Sequence, residues 1–269
     1  MPHSNAQAQI EMHKALAPRY AYRYSFEFSR AFQEDWHFEM LSHMPANAKR
    51  VLDLGCGTGF FLAELEHLRP GAVGLDISHA MLRVSEQYVP GARLVTADAE
   101  KLPFAERSFD TIFCKGSLHH TRDHVAFLRN CRRALTSDGV LIMSEPCNDN
   151  FVIRAARYLL YRLSPHFDLG DQGFTKNGLI ELCERAGFEM TYAGRYGVFA
   201  YLFAGFPDHF GVLRLVPGNA AITRKLIALD RWICSKRVLR ILSFQVVVVG
   251  KPRSTVPEQF FPDSAANAR

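Results

Sequence analysis

The sequence predicts an α/β protein built on a doubly wound, largely parallel sheet, and two observations carry that expectation. From Val51 onward, short apolar runs alternate with amphipathic stretches of helical period, the pattern of strands covered by helices on both faces. The first run, Val51-Leu52-Asp53-Leu54, leads directly into three alternating glycines, Gly55, Gly57 and Gly59, and then into Phe60-Phe61-Leu62-Ala63-Glu64-Leu65. That is the layout of a buried strand, a tight turn and a helix start. Glycine supplies the positive φ the turn needs and leaves bare backbone for a ligand to lie against, so a nucleotide-like ligand is expected there.

The 269 residues suffice for one large α/β domain, or for a domain with a substantial insertion. No stretch reaches the ~18 uninterrupted apolar residues of a membrane span. The N-terminus lacks the basic start and apolar core of a signal peptide. The six cysteines form no C-x-x-C pair and fall in core-like runs, which fits reduced thiols in a cytoplasmic protein and no metal site. The net charge of +5 is local. Seven basic residues lie between Val212 and Ser243 against Asp230 alone, giving that segment +6 and leaving −1 for the rest. This distribution argues against a general nucleic-acid surface.

Residues 8–43 read as helical and are dense in aromatics, from Tyr20, Tyr22 and Tyr24 to Trp36 and Phe38. Strand one is Val51 to Leu54, followed by a helix to about Leu68. Strand two, Ala72 to Leu75, ends in Asp76, and Ser78 caps a helix through Tyr88. Asp76 lies 21 residues after Gly55, the distance at which a carboxylate at the next strand end can accept both hydroxyls of a ribose. Strand three is Ala92 to Thr96 and delivers Asp98 and Ala99. Strand four, Phe109 to Cys114, leads into Lys115-Gly116-Ser117-Leu118-His119-His120. A helix opening at Thr121 closes at Asp138-Gly139, ahead of strand five, Val140 to Glu145. Helices over 151–163 and 175–186, a sixth strand over 188–196 and a last strand over 244–249 complete the order.

A dinucleotide-binding turn places its third small residue where this chain has Phe60, and an acid ending the strand suits an amine better than a phosphate. Over Asp53–Gly59 the sequence resembles the class I S-adenosylmethionine-dependent methyltransferases. The resemblance continues for about 100 residues in five matched elements, closest to the quinone-biosynthesis branch around Ser117-Leu118-His119-His120. It implies a Rossmann-like sheet of seven strands in the order 3-2-1-4-5-7-6, with the last strand antiparallel. It also implies S-adenosylmethionine as cofactor and S-adenosylhomocysteine as product; no metal-ligand spacing appears in the sequence, so no metal is expected. Residue by residue, it assigns the adenine amino group to Asp98 and a ring nitrogen to the amide of Ala99. Ile77 and either Leu102 or Met81 become apolar walls for the base, and backbone carbonyls near Cys114 and Lys115 take the methionine ammonium. Asp53, Gly55, Gly57, Gly59 and Asp76 complete the cofactor set.

Methyl transfer requires alignment, exclusion of water and, for an oxygen or carbon acceptor, a base. His119 and His120 follow strand four at the carboxyl edge of the sheet and are the candidate bases. Tyr20 and Tyr24 are expected in a lid, since aromatic faces receive a sulfonium cation well. The expected domains are a helical lid over 1–44, a cofactor-binding domain over 45–252, and a disordered tail over 253–269. Cap insertions are expected at about 150–174 and 198–241. The run Val198–Phe206 suggests an apolar or aromatic small-molecule acceptor, with Phe199, Phe203 and His166 in its pocket. The basic helix over 222–241 reads as a solvated face or as a peripheral contact with an anionic membrane. Two other functions stay open: a cofactor-binding protein without catalysis, and a nicotinamide-dependent oxidoreductase.

Overall fold

A computed structural model of the chain describes residues 10–254 apart from 12, 15, 16, 18, 19, 23, 152, 156, 157, 159–172 and 206–210. Seven strands form one sheet in the order β3-β2-β1-β4-β5-β7-β6. They are β1 (Val51–Leu54), β2 (Val73–Asp76), β3 (Arg93–Thr96), β4 (Phe109–Lys115), β5 (Leu135–Pro146), β6 (Phe188–Tyr196) and β7 (Gln245–Pro252). The first five are parallel, and β7 runs antiparallel to both β5 and β6. Helices α1 (Glu27–Leu41), α2 (Phe60–Leu68), α3 (His79–Tyr88), α4 (His124–Ala134), α5 (Lys176–Arg185), α6 (Phe199–Ala204) and α7 (Asn219–Ser235) cover it.

The strands are apolar on both faces because both faces are covered, and successive residues feed two separate cores. Val51, Phe113, Ile142, Val247 and Val249 point into a core shared with Phe28, Phe32, Trp36 and Met40 of α1, with Phe61, Leu62 and Leu65 of α2, and with α6 and α7. Their neighbours Leu52, Ile112, Leu141, Met143, Val246 and Val248 point the other way, against Phe127, Leu128 and Cys131 of α4 and Leu179 and Cys183 of α5.

Several boundaries differ from the sequence reading. The helix expected over 8–43 is interrupted by a turn at Tyr24–Phe26, and α1 starts at Glu27 behind an extended Phe26. Helix α4 begins at His124, because the Asp123 carboxylate accepts the N–H of Ala126 and caps it; Thr121 instead donates to the carbonyl of Leu118. Strand β5 begins at Leu135 rather than Val140, since Leu135 is buried and pairs with Phe109 before a register shift. The run 198–206 forms the short helix α6 as far as Ala204, and 206–210 lie outside the described residues. That helix buries Ala200, Tyr201 and Ala204 against α1, so its apolar character serves the core. The loop with His166 and the tail from 255 also lie outside the described residues.

Candidate functional site

The glycine turn is built by three backbone contacts. The N–H groups of Gly55 and Cys56 donate to the carbonyl of Leu75, tying the turn to β2. The N–H of Gly57 donates to Oδ2 of Asp76 at 2.9 Å, while Oδ1 accepts the N–H of Ser78 at 2.8 Å. Gly55 has φ +77, and a Cβ there would lie 1.9 Å from Oγ of Ser117, so only glycine lets β1 and the loop after β4 approach so closely. At Gly57 a Cβ would meet nothing, because that side of the turn faces a cleft. Gly59 behaves differently. It caps α2 with φ +81, and a Cβ there would strike Ser85 of α3 at 2.1 Å. Gly59, expected among the cofactor residues, is thus also a position at which α2 and α3 pack closely.

The cleft has two lobes that meet at Asp76. One, of about 160 Å³, is lined by Asp53, Gly57, Phe60, Met81 and Lys115, with Tyr20 and Tyr24 above. The other, of about 230 Å³, is lined by Ile77, Ala97, Asp98, Ala99 and Phe127. Asp76, Gly55, Ser117, His120 and His13 line both. The Asp98 carboxylate accepts the N–H of Glu100 through Oδ1, which fixes it at the head of the turn Ala99–Lys101. Tyr24 stacks on Phe60 at 4.2 Å, so the break before α1 is what lays the tyrosine over the glycine turn.

Asp53 is 1% exposed and its Oδ2 has no hydrogen-bond partner. Burial lifts its carboxyl from 3.8 to about 7, against the pull of Lys115 and with a further push from Asp76. A buried acceptor without a donor at the floor of a cleft suits a ligand ammonium. Asp76 is likewise raised by burial, while the Ser78 and Gly57 amides pull it back. Together with the open face of Gly57, these groups fit the amino-acid end and ribose of S-adenosylmethionine.

The structure brings His119 against Glu145 rather than into the cleft wall. The ring Nδ1 lies 2.7 Å from Oε2 of Glu145, whose Oε1 accepts the N–H groups of Ser117 and Leu118. The His120 ring packs at a tilt beside His119, 4.0 Å between centroids, and lines both lobes. Phe199 and Phe203 are not brought to the cleft. They lie on α6 away from its buried face, with Phe199 exposed and Phe203 packed partly against the first core.

Sequence reasoning missed Glu145, His13 and the partners of Lys115. A carboxylate ending the buried run of β5 carried the same signal as Asp76 and went unused. His13 offered no signal of its own. The lysine was expected to contribute its carbonyl, but its side chain turns inward, with Nζ donating to Oε1 of Gln33 at 2.7 Å and to Nε2 of His37 at 2.6 Å. Nδ1 of His37 in turn lies 2.6 Å from Oε1 of Glu64.

Comparison with known proteins agrees with this geometry. Residues 52–143 match the family described as "Methyltransferase domain". The chain is 37% identical over 119 residues to malonyl-[acyl-carrier protein] O-methyltransferase of Legionella pneumophila, a match covering 42% of each chain. It is 28% identical over 182 residues to demethylmenaquinone methyltransferase of Thermotoga maritima, covering 60% of this chain and 80% of that one. In fold it is similar to the [4+2]-cyclase SpnF, with a TM-score of 0.63, 16% sequence identity, and coverage of 94% of this chain and 98% of that one. The match to the first relative thus spans less than half of that enzyme's length.

Proposed function

We propose that this class I S-adenosylmethionine-dependent methyltransferase passes the cofactor's methyl group to an apolar or aromatic small molecule by in-line displacement. The observation that carries the reading is the order of three carboxylates along one cleft. Asp53 lines only the first lobe, Asp98 only the second, and Asp76 both, matching an ammonium, a ribose and an adenine in sequence. A pyrophosphate-bearing dinucleotide would instead meet the ring of Phe60 at the head of α2.

When bound, the cofactor supplies a methyl group on a sulfonium, a leaving group that needs no protonation. The chain's own residues have three tasks. Asp53 takes the ammonium and Asp76 the ribose hydroxyls, while Asp98 and Ala99 hold the base between Ile77 and Phe127. Tyr20, Tyr24 and Phe60 wall the methyl end and exclude water, and their aromatic faces favour an apolar acceptor. His120, which lines both lobes, is the group placed to take a proton from an acceptor that must lose one, while Glu145 fixes His119 beside it. Alignment of two bound reactants can by itself lower the barrier by ~7–11 kcal/mol.

Calorimetry with S-adenosylmethionine, S-adenosylhomocysteine and NAD tests the reading: the two adenosyl amino acids are expected to bind and NAD not. Binding of NAD alone would overturn it. Binding of the adenosyl amino acids with no methyl transfer to any compound of a cell extract, followed by mass spectrometry, would leave a cofactor-binding protein without catalysis. That second outcome is not idle, since SpnF pairs the same fold with the name of a cyclase.

A membrane contact has one observation in its favour. Asp230, the one acid of the 212–243 segment, is turned inward and accepts the N–H groups of Val198, Phe199 and Ala200. The outer face of α7 and the turn after it therefore combines Lys225, Lys236, Arg237 and Arg240 with exposed Trp232, Val238 and Ile241. Each basic residue near an anionic surface contributes about 1 kcal/mol. Co-sedimentation with vesicles containing phosphatidylserine, absent with neutral vesicles and lost on replacing those four cations, is expected. No helix among the described residues is long and apolar enough to cross a membrane.

A further inference from the structure

Lys115 closes β4 with its side chain partly buried at the wall of the cleft, where Asp53 and Glu64 attract its charge without touching it. Its Nζ donates to the amide oxygen of Gln33 and to the ring nitrogen of His37, and it lies 4.5 Å from the centre of the Trp36 ring. All three partners sit on α1 and none is an anion. Among the described residues no carboxylate comes within 4.0 Å of it. An ammonium has three N–H donors, and Gln33 and His37 use two. The same lobe contains the opposite vacancy in charge terms, the buried Asp53 with an unpartnered Oδ2. One wall of the lobe thus lacks a cation's partner and the other lacks an anion's partner. A zwitterion satisfies both.

Resting on the methyltransferase reading above, we propose that the Lys115 ammonium takes the carboxylate at the amino-acid end of the cofactor, opposite Asp53, and that Gln33 and the His37–Glu64 pair hold it in place. The hydrogen-bond direction is consistent throughout. Lys115 donates to Nε2 of His37, so the ring proton is on Nδ1 and is donated to Glu64 of α2. Burial holds His37 well below its usual pKa, which keeps the ring neutral and able to accept. Trp36 extends the anchorage by donating through Nε1 to Oγ of Ser144 on β5 at 2.9 Å. Lys115 is therefore a positioned binding group whose aim is set by α1, and seating the cofactor's carboxylate and docking α1 are coupled.

The test is calorimetry at pH 7 on the full-length wild type and Lys115→Met, using three ligands. S-adenosylhomocysteine carries both charges, its decarboxylated amine keeps only the ammonium, and methylthioadenosine has neither. The wild type is expected to bind S-adenosylhomocysteine at least tenfold more tightly than the decarboxylated amine. In Lys115→Met that preference is expected to vanish, through weaker binding of S-adenosylhomocysteine, with methylthioadenosine affinity unchanged. A variant that keeps the preference overturns the proposal, as does one that loses methylthioadenosine in proportion, which would make Lys115 only a brace for the fold. Should Lys115→Met fail to fold, His37→Gln leaves the ammonium but removes the ring that aims it. The carboxylate preference is then expected to shrink several-fold, and an unchanged preference counts against the proposal. A wild type that binds all three ligands equally overturns this inference alone; one that binds none overturns the methyltransferase reading with it.

Discussion

Asp53→Asn separates what the carboxylate costs the fold from what it gives the cofactor. Burial lifts the Asp53 carboxyl from 3.8 to about 7. At about 1.4 kcal/mol per pH unit, keeping it ionised above pH 7 costs the empty protein roughly 4 kcal/mol. The folded state binds this proton more tightly than the unfolded chain does. The stability it contributes is therefore present at acid pH, is lost as pH rises from about 4 to about 7, and stays lost above that. An amide of the same shape removes the slope, at a penalty of about 2 kcal/mol for a buried N–H group without a partner. The net expectation is a gain of about 2 kcal/mol at pH 8 that vanishes near pH 5.5. Lys115 does not reverse the sign, because its pull is already part of the balance that leaves Asp53 at about 7. For a chain of this size the gain raises the melting temperature by about 4–8 °C at pH 8. Scanning calorimetry at pH 5.5 and pH 8 reads the shift, and titration with S-adenosylhomocysteine at pH 8 is expected to show at least a tenfold loss of affinity. A lower melting temperature at pH 8, or a gain that does not depend on pH, would refute the reasoning.

Asp76→Ala removes the acceptor of the Gly57 and Ser78 amides together with the proposed ribose contact, so affinity for S-adenosylhomocysteine is expected to fall at least tenfold by calorimetry; unchanged affinity would take Asp76 out of the site. Gly59→Ala forces a side chain to φ +81 and to 2.1 Å from Oγ of Ser85. It is expected to cost about 2–4 kcal/mol in urea unfolding while leaving cofactor affinity within about threefold. A larger loss of affinity would return Gly59 to the cofactor site. With an acceptor in hand, His120→Asn is expected to lower kcat by about a hundredfold while leaving affinity for S-adenosylhomocysteine within a few-fold. An unchanged kcat would leave His120 a lining residue of the cleft without a part in proton transfer.

What could be read along the chain was local. The turn at Gly55–Gly59, the cap at Ser78 and the spacing to Asp76 each lie within about two dozen residues, and the strand-end signal is carried by a few consecutive side chains. The lysine cluster could not be read in this way. Gln33 and His37 are separated from Lys115 by 82 and 78 positions, and nothing in either segment announces the other. The run 198–204 was ambiguous for a different reason. Hydrophobicity states that residues avoid water but not what they are buried against: Tyr201 meets Phe32 and Trp36, and Ala200 and Ala204 join the same core. Glu145 was a readable residue left unread, since a carboxylate ending a buried strand must find donors somewhere. It finds them in Ser117 and Leu118.

The strand-end carboxylates fall together because of the sheet's polarity. Strands β1, β2, β4 and β5 are parallel, so Asp53, Asp76, Lys115 and Glu145 all emerge near one edge whatever their separation in sequence. Strand β7 is antiparallel, and its end at Lys251–Pro252 emerges at the opposite edge, paired with Phe188 and Glu189 at the start of β6. A charged residue closing β7 therefore cannot reach the cleft, whereas one closing a parallel strand can hardly avoid it. The same rule explains why α1 matters to the site although it precedes the sheet in sequence. It packs over the carboxyl ends of β4 and β5, where Trp36 meets Ser144 and His37 meets Lys115, and so becomes one wall of the edge at which the charges collect.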